Sequence, residues 1–598
     1  MSEADPRSVY VERVSACERG LARLRKIETA CAAVKLGLAA AGAVFFVRAA
    51  TAYSPGRLAA VVAAVLAFAA AAVVHESFLG KSRALRLLRE VNADELAALD
   101  GGFPARDDGA RYQDADHPFA LDLDLFGPRS VFQALNRTST RMGADRLAAW
   151  LAADAPEAAA IEARQAAAAE LRPLVDLRQA VQIHGRELES GAESRAKLAE
   201  FLSESPSLLG RRGTILLIFA LPLAVLAAAG LAVSGLPWPV VLVPIGANII
   251  LNRVWRRRTN RVYALTSRSA PVLAAYARIV GDLEGADFRS PLLTALRGTL
   301  RDATGPASVS IRRLASRLGW FDVRQSPLFY VLANALALWD LHCLRAIESW
   351  LRGAAARVPG WFEAMADFEA LSSLAASAFN HPAWAVPRIA ADGPVLDAAG
   401  LGHPLIPEAS RVANDLRIER PGDILIVTGP NMAGKSTFLK TVGVAAVLAF
   451  AGAPVCAGRI SLRPFRLRTS MKISDSLDKS LSLFYAELLR LKMVLDAVSG
   501  GAPVVFLLDE ILKGTNALDR QKGALALLRQ LAGRSTGVVA THDLELTKLD
   551  ESFPGRIANA HFDGTVEGDR LRFDFKLRGG PCLSFNALVL MRRIGIEI

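Results

Sequence analysis

A glycine-rich segment at residues 429–436, with the sequence Gly-Pro-Asn-Met-Ala-Gly-Lys-Ser, is the strongest chemical signal in the chain. It fits the pattern G-x-x-x-x-G-K-[ST], and an apolar run at residues 424–428 leads into it while a helical stretch follows. Glycines let backbone N–H groups turn toward phosphate oxygens, and the helix N-terminus adds partial positive charge. In such a loop the lysine reaches the β- and γ-phosphates and the serine ligates Mg²⁺. We therefore predict a phosphate-binding loop made of Gly429, Pro430, Asn431, Met432, Ala433, Gly434, Lys435, Ser436 and Thr437.

An acidic pair follows a second apolar run. Residues 504–508 are Val-Val-Phe-Leu-Leu, which is typical of a buried strand, and Asp509 and Glu510 come directly after them. Downstream of a phosphate loop, Asp509 is placed to hold Mg²⁺ and Glu510 to polarise the attacking water. Without such a loop, the same pair would be interpreted as a solvated strand end.

A single histidine follows a third apolar run. His542 stands between Thr541 and Asp543, after the strand-like residues 538–540. A lone histidine is more often structural. Together with the other two motifs, it is favoured as a residue that senses the γ-phosphate or positions water. The predicted catalytic residues are Glu510, His542 and Lys435, and the predicted metal ligands are Ser436 and Asp509.

The N-terminal half is apolar in two blocks. The first comprises residues 30–47 and 58–74, and the second, residues 214–252, contains no charged residue. Each block is long enough for two helices of about 17–20 residues, roughly one bilayer core apiece. Both are interpreted as transmembrane hairpins. The alternative is a pair of buried, alanine-rich hairpins in a soluble bundle, and Lys35 interrupts the first block.

Basic residues flank both hairpins at their bases, which places the bases and both termini in the cytoplasm. The chain also carries a formal charge of +12, which favours phosphate-rich partners without choosing among nucleic acid, nucleotides and anionic lipid. Its five cysteines have no ligand or redox spacing, which fits a reducing compartment. The flanking residues are Lys81, Arg83, Arg86, Arg89, Arg211, Arg212, Arg253, Arg256, Arg257, Arg258 and Arg261.

Several longer segments resemble the MutS family. TGPNMAGKSTFLK at residues 428–440 is similar to the family's phosphate loop, LLDEILKGTNALDR at 507–520 to its acidic segment, and THDLEL at 541–546 to its switch histidine segment. Weaker similarities lie at residues 402–405, 413–415, 559–562 and 584–585, and in the helical segments 142–151 and 369–375.

The resemblance implies a fold and an assembly. We expect an α/β P-loop NTPase domain of the ABC-like type at the C-terminus, an all-α lever and core region before it, and two transmembrane helical hairpins. The family implies a homodimer with composite ATP sites, in which a signature loop of one subunit reaches the phosphates held by the other. Here that loop would be residues 474–487, with Ser482 as the candidate trans contact and Phe484 and Glu487 completing the pattern. A serine-capped helix start is the alternative. Phe575 could stack on adenine or belong to the core.

The predicted domain boundaries follow from these patterns. They are a cytoplasmic helix (1–28), the first hairpin (29–78), a linker (79–127), a first part of the helical core (128–210), the second hairpin (211–255), a helical lever and second core part (256–400), and the ATPase domain (401–598).

The sequence departs from the family where DNA would be read. The family's N-terminal mismatch-reading domain, with its Phe-x-Glu wedge, finds no counterpart before residue 115, and the second hairpin lies where the family carries its DNA clamp. The arginines at 253–261 are favoured as a hairpin flank over a DNA phosphate contact.

Sequence analysis therefore predicts a membrane-anchored, Mg²⁺-dependent, MutS-like ATPase in the inner (cytoplasmic) membrane, with its ATPase domain in the cytoplasm. A role in binding mismatched or branched DNA follows by analogy with the family. A membrane-linked switch or scaffold without DNA binding is one alternative. An ATP-driven transporter-like pump is another, and it is disfavoured by few intramembrane polar groups and no LSGGQ signature.

Overall fold

The computed structural model describes residues 5–52, 54–104, 106–187, 197, 200–471, 483–567 and 570–582. The chain divides into two compact units. The first comprises Met1–Arg106 with Leu405–Ala409, and the second comprises Asp107–Pro404 with Ser410–Ile598.

The first unit is a pair of long helices, α1 (Pro6–Thr51) and α2 (Pro55–Leu99), packed along each other. At 46 and 45 residues, each is about 68 Å long, roughly twice the thickness of a bilayer core. The apolar segments of both helices are almost entirely unburied, with Ala64 on α2 as an exception. At the turn between them, Arg57 donates to the carbonyls of Arg48 and Ala52 at 3.1 and 2.9 Å, which satisfies C-terminal carbonyls of α1.

The second unit begins with helices that surround a central buried one. This central helix carries Glu369, whose buried carboxylate accepts from the backbone N–H groups of Ser139 and Thr140 at 2.9 and 3.2 Å. Burial raises the pKa of Glu369. The helices are α3 (Val131–Leu135), α4 (Arg141–Leu151), α5 (Ala158–Leu171), α6 (Val175–Arg186), α7 (Arg212–Val233), α8 (Leu242–Thr266), α9 (Ala270–Gly285), α10 (Pro291–Leu300), α11 (Ala307–Phe321), α12 (Pro327–Ala337), α13 (Trp339–Ala354) and the central α14 (Val358–Asn380), with a small hairpin of β1 (Arg301–Asp302) and β2 (Gly305–Pro306).

Two sheets form the C-terminal part of this unit. A four-stranded sheet has the order β3-β7-β4-β5, and a six-stranded sheet has the order β12-β11-β6-β10-β9-β8. In the larger sheet all neighbours are parallel except β11 and β12. The strands are β3 (Arg388–Ile389), β4 (Leu396–Leu401), β5 (Asn414–Ile418), β6 (Ile424–Thr428), β7 (Arg459–Leu462), β8 (Arg466–Ser470), β9 (Val504–Asp509), β10 (Thr536–Ala540), β11 (Ile557–Glu567) and β12 (Arg570–Gly579). The helices are α15 (Lys435–Ala451), α16 (Leu483–Ser499), α17 (Ala517–Leu531) and α18 (Leu549–Ser552).

The centre of the six-stranded sheet is apolar on both faces, as a parallel sheet between helices requires. Phe506 and Leu508 on β9 and Ile426 on β6 are fully buried in one cluster with residues of α16 and α17. Gly537 on β10 lies against the Phe506 ring, where any side chain would collide with it. The packing of a large residue beside a glycine therefore fixes the register of these two strands.

The three predicted strands are present, and their observed bounds differ from the prediction by two residues at most. The apolar hairpins also form helices. Within the part of the chain that the structure describes, four helices are long and apolar enough to cross a membrane: α1, α2, α7, and α8 together with the turn that precedes it. The helices of the first hairpin extend well beyond the predicted apolar segments, because charged residues continue the helical pattern on both sides.

The predicted linker at 79–127 differs from the structure. Its first part continues α2 to Leu99, and its last part packs onto the six-stranded sheet. Leu123 and Leu125 are fully buried, and Asp122 accepts from the hydroxyl of Thr469 on β8 at 2.6 Å. Lys440 on α15 pairs with Asp124 at 2.7 Å. This segment is therefore an integral part of the second unit, held by long-range contacts that no local pattern encodes.

A buried ionic network joins the bases of α7 and α8. Glu348 on α13 accepts from the N–H groups of Leu208 and Leu209 at 2.8 and 3.2 Å, just before α7 begins. Arg258 on α8 approaches Glu348 at 3.4 Å and also pairs with Glu204. The arginines at the base of this hairpin are thus engaged in part by protein carboxylates.

Candidate functional site

The three chemical motifs meet at one edge of the six-stranded sheet. β6, β10 and β9 are adjacent and parallel, so their carboxyl ends lie side by side. The backbone N–H of Glu510 donates to Ala540 at 2.9 Å, and that of Thr541 to Val427 at 3.0 Å. The structure therefore brings together the glycine-rich loop, the acidic pair and His542. Crevices of this kind, at the carboxyl ends of strands, are where open α/β sheets bind ligands.

The glycine-rich loop has a tightly constrained backbone. Gly429 and Gly434 have φ values of 145° and 105°, and Met432 has a φ of 69°. A side chain at Gly429 would collide with the carbonyl oxygen of Phe562 on β11, so only glycine fits there. Gly434 ends the loop directly before α15, so the N-terminal N–H groups of that helix are turned toward the loop.

Lys435 is buried at the first position of α15 and folds back over the loop. Its Nζ donates to the carbonyls of Gly429 and Pro430 at 2.7 and 3.1 Å, and it lies 3.9 Å from Oε1 of Glu510. Burial lowers the pKa of Lys435, although the nearby carboxylates oppose this shift. A buried ammonium group inside the curve of the loop is arranged to attract an anionic ligand.

Asp509 and Ser436 form a pair of oxygen donors beside this lysine. Burial raises the pKa of Asp509, while a hydrogen bond from the Ser436 side chain opposes that shift. Oδ1 of Asp509 is buried and has no hydrogen-bond partner in the described part of the chain. A hydroxyl and a carboxylate with an unused oxygen are the hard donors that Mg²⁺ prefers, so these residues fit that ion.

Glu510 lies among basic side chains. Lys513 lies 3.3 Å from its carboxylate, Nδ1 of His542 lies at 3.7 Å, and Lys435 lies on the other side. Burial alone would raise the pKa of Glu510, but the positive charges of Lys513, His542 and Lys435 hold it below its usual value. The side chain is therefore an ionised acceptor at neutral pH, as a group that orients water must be.

His542 borders an open cleft. Its side chain is about half exposed, and the backbone turns after it because the Asp543 N–H donates to the Thr541 hydroxyl at 3.0 Å. Its lining combines polar residues of the acidic and histidine segments with apolar residues. It is lined by Glu510, Ile511, Lys513, Arg520, Ala524, Thr541, His542, Asp543 and Leu546.

Phe575 lies against the glycine-rich loop. A Cβ placed on Gly434 would be 3.2 Å from its ring, and the Phe575 side chain is 42% exposed rather than in the core. Its backbone has a φ of 54° and is held by Asn414, which accepts from Leu577 N–H at 2.8 Å and donates to the Phe575 carbonyl at 3.0 Å. An exposed aromatic ring fixed beside a phosphate-type loop is placed to stack on a planar group.

Glu487 makes a contact within its own chain that sequence analysis did not foresee. Its buried carboxylate accepts the backbone N–H of Leu512, in the turn after the acidic pair, and burial raises its pKa. Glu510 and Leu512 both have left-handed backbones in that turn, with φ values of 49° and 62°. Phe484 also packs closely on Gly514. Ser482 and the rest of the predicted signature loop before it, 474–482, lie outside the described residues.

The comparisons with known proteins concern this part of the chain. Residues 425–593 match the family described as MutS domain V. Over 248 residues, 41% of this chain, the sequence is 33% identical to the DNA mismatch repair protein MutS 2 of Halobacterium salinarum. The C-terminal part of the chain is therefore similar to the MutS family. All three motifs lie inside the region that matches MutS domain V, an ATPase-domain family. The aligned region spans 28% of the MutS 2 relative, so most of that protein has no aligned counterpart here.

We predict that Glu487→Ala loosens the turn that carries Glu510. A hydrogen bond to a carboxylate contributes about 1.5–3 kcal/mol, so its loss should speed exchange of the Leu512 amide by roughly tenfold or more. Hydrogen–deuterium exchange of peptides covering residues 510–514 measures this effect. Tyr485→Ala, an exposed residue on the same helix, is the control and should leave the exchange rate unchanged. Equal exchange in both variants would show that Glu487 does not hold this turn.

Proposed function

We propose that this MutS-family chain is a membrane-anchored, Mg²⁺-dependent ATPase of the P-loop type, with an ABC-like ATPase domain. The proposal depends on one observation above all. The Ser436–Asp509 oxygen pair and the Lys435–Glu510 ion pair lie side by side at the end of a glycine-rich loop. Chance association of these residue types does not produce a buried lysine, an unused carboxylate oxygen and an ionised glutamate around one crevice.

Different residues of the site bind the nucleotide and promote its hydrolysis. The backbone N–H groups of residues 429 and 431–437 and the Lys435 ammonium bind the β- and γ-phosphates, and Lys435 exchanges its loop carbonyls for phosphate oxygens. Glu510 accepts a hydrogen bond from the attacking water and orients it toward the γ-phosphorus atom. His542, within reach of Glu510, positions the same water or contacts the γ-phosphate. Phe575 stacks on the adenine ring.

Ser436 and Asp509 would hold Mg²⁺, directly or through water. The ion, when bound, neutralises charge on the phosphate oxygens as the bond to the leaving group breaks. Asp509 serves this purpose because one oxygen of its carboxylate has no hydrogen-bond partner among the described residues, while Ser436 already hydrogen-bonds to the carboxylate.

We propose that two copies of the chain assemble around two such sites. The described residues leave the phosphate side open: Met432 is 85% exposed, and His542 and Phe575 are half exposed. The MutS family supplies the precedent for a homodimer with composite ATP sites. The trans contact is assigned to Ser482 in the loop before α16, and closure on ATP and reopening after hydrolysis would move the helical region.

We also propose that α1, α2, α7 and α8 anchor the protein in the inner (cytoplasmic) membrane, with the ATPase domain in the cytoplasm. Their apolar windows are almost entirely unburied within the protein, and large side chains such as Leu36, Val73, Leu226 and Val233 face outward. Water is a poor solvent for so much apolar surface, whereas a bilayer accepts it.

The partner that best fits the family is DNA with a mismatch or a branch. It is supported by the name of the MutS 2 relative and by the net charge of +12. One structural observation favours a second candidate, a membrane-linked ATPase switch or scaffold without DNA binding. Arg258 and Arg261 at the hairpin base are paired with Glu204, so they are partly neutralised before any phosphate arrives.

Substitution of the two central residues separates binding from turnover. We expect Lys435→Ala to abolish ATP binding because the loop loses its buried cation. We expect Glu510→Gln to bind ATP normally while hydrolysis falls by about a hundredfold or more, the usual contribution of a positioned base. Equilibrium binding of a fluorescent ATP analogue and phosphate release measure the two steps. Lys440→Ala and Glu545→Gln are matched controls with native behaviour, and normal hydrolysis by Glu510→Gln would refute the role of that residue.

The pH dependence of hydrolysis reports on the surroundings of Glu510. Lys513 lowers the pKa of Glu510, so Lys513→Met should raise that pKa and move the acid limb of the kcat/KM profile to higher pH. Lys435, His542 and Asp509 also face Glu510 and remain in place in this variant. Lys522→Met, an exposed lysine on α17, is the control. An unmoved acid limb in Lys513→Met would show that a group other than Glu510 sets it.

DNA binding distinguishes the two candidate roles. Filter binding by the detergent-purified full chain should show tighter binding of mismatched or branched duplex than of homoduplex, with a dependence on ATP. The Lys435→Ala variant controls for that dependence. No retention of any DNA, by protein that hydrolyses ATP, would contradict the DNA-related role and leave the membrane-linked switch.

A further inference from the structure

We infer that α12 (Pro327–Ala337) is a third lipid-embedded element, a half-helix that enters the cytoplasmic leaflet beside α8. The inference rests on the proposed membrane anchoring by α7 and α8 and extends it to a segment that sequence analysis assigned to the lever region. The exposed apolar face of α12 contacts the hydrocarbon of the bilayer and not a second protein.

The outward face of α12 is apolar. Phe329, Leu332 and Leu336 recur at a helical spacing and are 43–51% exposed, and Val331 beside them is more exposed still. Residues 325–339 contain no charged side chain. At 11 residues the helix is about 16 Å long, roughly half of a bilayer core, so it is too short to span but long enough to enter one leaflet.

Backbone carbonyls at the carboxyl end of α12 accept hydrogen bonds from side chains, as they must in lipid. The side chain of Asn248, which is fully buried, donates to the carbonyl of Ala335 at 2.8 Å, and Asn252 donates to the carbonyl of Asn334 at 3.1 Å. In water, solvent would hydrogen-bond to such carbonyls, and no side-chain donor would be needed. In hydrocarbon, an unpaired carbonyl costs several kcal/mol, so a helix end needs side-chain partners.

The position of these asparagines places α12 at membrane depth. Asn248 and Asn252 occupy the last turns of α8 before its arginines begin at Arg253. At the other end of α12, Arg324 reaches the Thr259 carbonyl at 3.4 Å and the Asn260 side chain at 2.7 Å, beyond those arginines. α12 therefore runs antiparallel to α8, from the cytoplasmic base toward the hairpin tip.

Aromatic rings cluster at the amino-terminal, cytoplasmic end of α12, where the Trp339 ring folds back from beyond the helix to meet Trp320 and Phe329. The rings of Trp320 and Trp339 are 5.6 Å apart, and Phe329 meets Trp339 at 5.8 Å. Trp339 donates its ring N–H to the Trp320 carbonyl at 3.1 Å, while the exposed Trp320 ring faces outward. Tryptophan is enriched at the junction of hydrocarbon and headgroups.

Continuity of surface favours lipid over a protein partner. The apolar face of α12 adjoins α8 and α7, whose own outward residues Leu223, Leu226 and Ile250 are more than 60% exposed. A bilayer that covers those residues on the hairpin also meets the half-helix packed against it. A separate partner would have to displace lipid from the same face.

Site-directed spin labelling tests the inference. Phe329→Cys, Leu332→Cys and Leu336→Cys are made singly in the full chain with its five native cysteines replaced by alanine. Each is labelled with a nitroxide and reconstituted into liposomes. Collision rates with oxygen, which concentrates in lipid, and with a water-soluble nickel chelate are compared. Leu226→Cys on α7 is the hairpin reference and Asp287→Cys, a fully exposed carboxylate position, is the water reference.

The expected result is a shift toward oxygen at all three positions, as at Leu226, with depth increasing from Phe329 to Leu336. Collisions with the nickel chelate as frequent as at Asp287, while Leu226 remains lipid-exposed, would overturn the inference and leave hairpin anchoring intact. Protection from both reagents would also overturn it, because a protein surface would then cover the helix. A water-exposed Leu226 would instead refute the membrane anchoring itself.

Discussion

The alignment of three parallel strands, β6, β10 and β9, is the constraint on which the rest of the site depends. Their shared edge places Lys435, Asp509 and Glu510 within a few ångströms, although the lysine and the acidic pair are more than 70 residues apart. The pairing of the Phe506 ring with Gly537 fixes the register of β9 and β10, since a shift by one residue would force a side chain into the ring. The positions of the reactive side chains at this edge therefore depend on side-chain packing in the middle of the sheet.

Much of the site could be predicted from sequence because each motif follows an apolar strand, and carboxyl ends of parallel strands meet. Lys513 and the intrachain role of Glu487 could not be predicted in the same way. Their positions depend on a turn in which Glu510 and Leu512 adopt left-handed backbones, held by a residue 25 positions upstream. No local pattern indicates that a glutamate on one helix will accept the N–H of a turn on another segment.

The fold, like the site, has parts that could be predicted from the sequence and parts that could not. Long apolar helices and buried strands were predictable because burial on all sides or in a bilayer requires continuous apolar runs. The last part of the predicted linker at 79–127 shows no helical spacing of apolar residues, because its leucines alternate with aspartates, yet Leu123 and Leu125 are fully buried. The membrane role inferred for α12 could not be predicted for a related reason. An 11-residue apolar run is common in soluble helices, and only the hydrogen bonds from the asparagines on α8 distinguish α12 from such helices.

The sheet and the apolar helices α7 and α8 are connected through the helical region of the second unit. Glu348 on α13 holds the start of α7 through backbone N–H groups and approaches Arg258 on α8, and the same helix follows α12 directly. Any movement of α13 would therefore act on both helices of the second hairpin. This arrangement couples α13 to the two helices that are proposed to anchor the protein.

Electron paramagnetic resonance of Mn²⁺, used in place of Mg²⁺, measures whether the glycine-rich loop and the acidic pair form one metal–nucleotide site. We expect the full chain to bind Mn²⁺ tightly only when ATP is present, and Asp509→Ala or Ser436→Ala to weaken this binding, whereas Asp543→Ala should not. Mn²⁺ binding that is unaffected by ATP, or by both substitutions, would contradict a site built from the glycine-rich loop and the acidic pair.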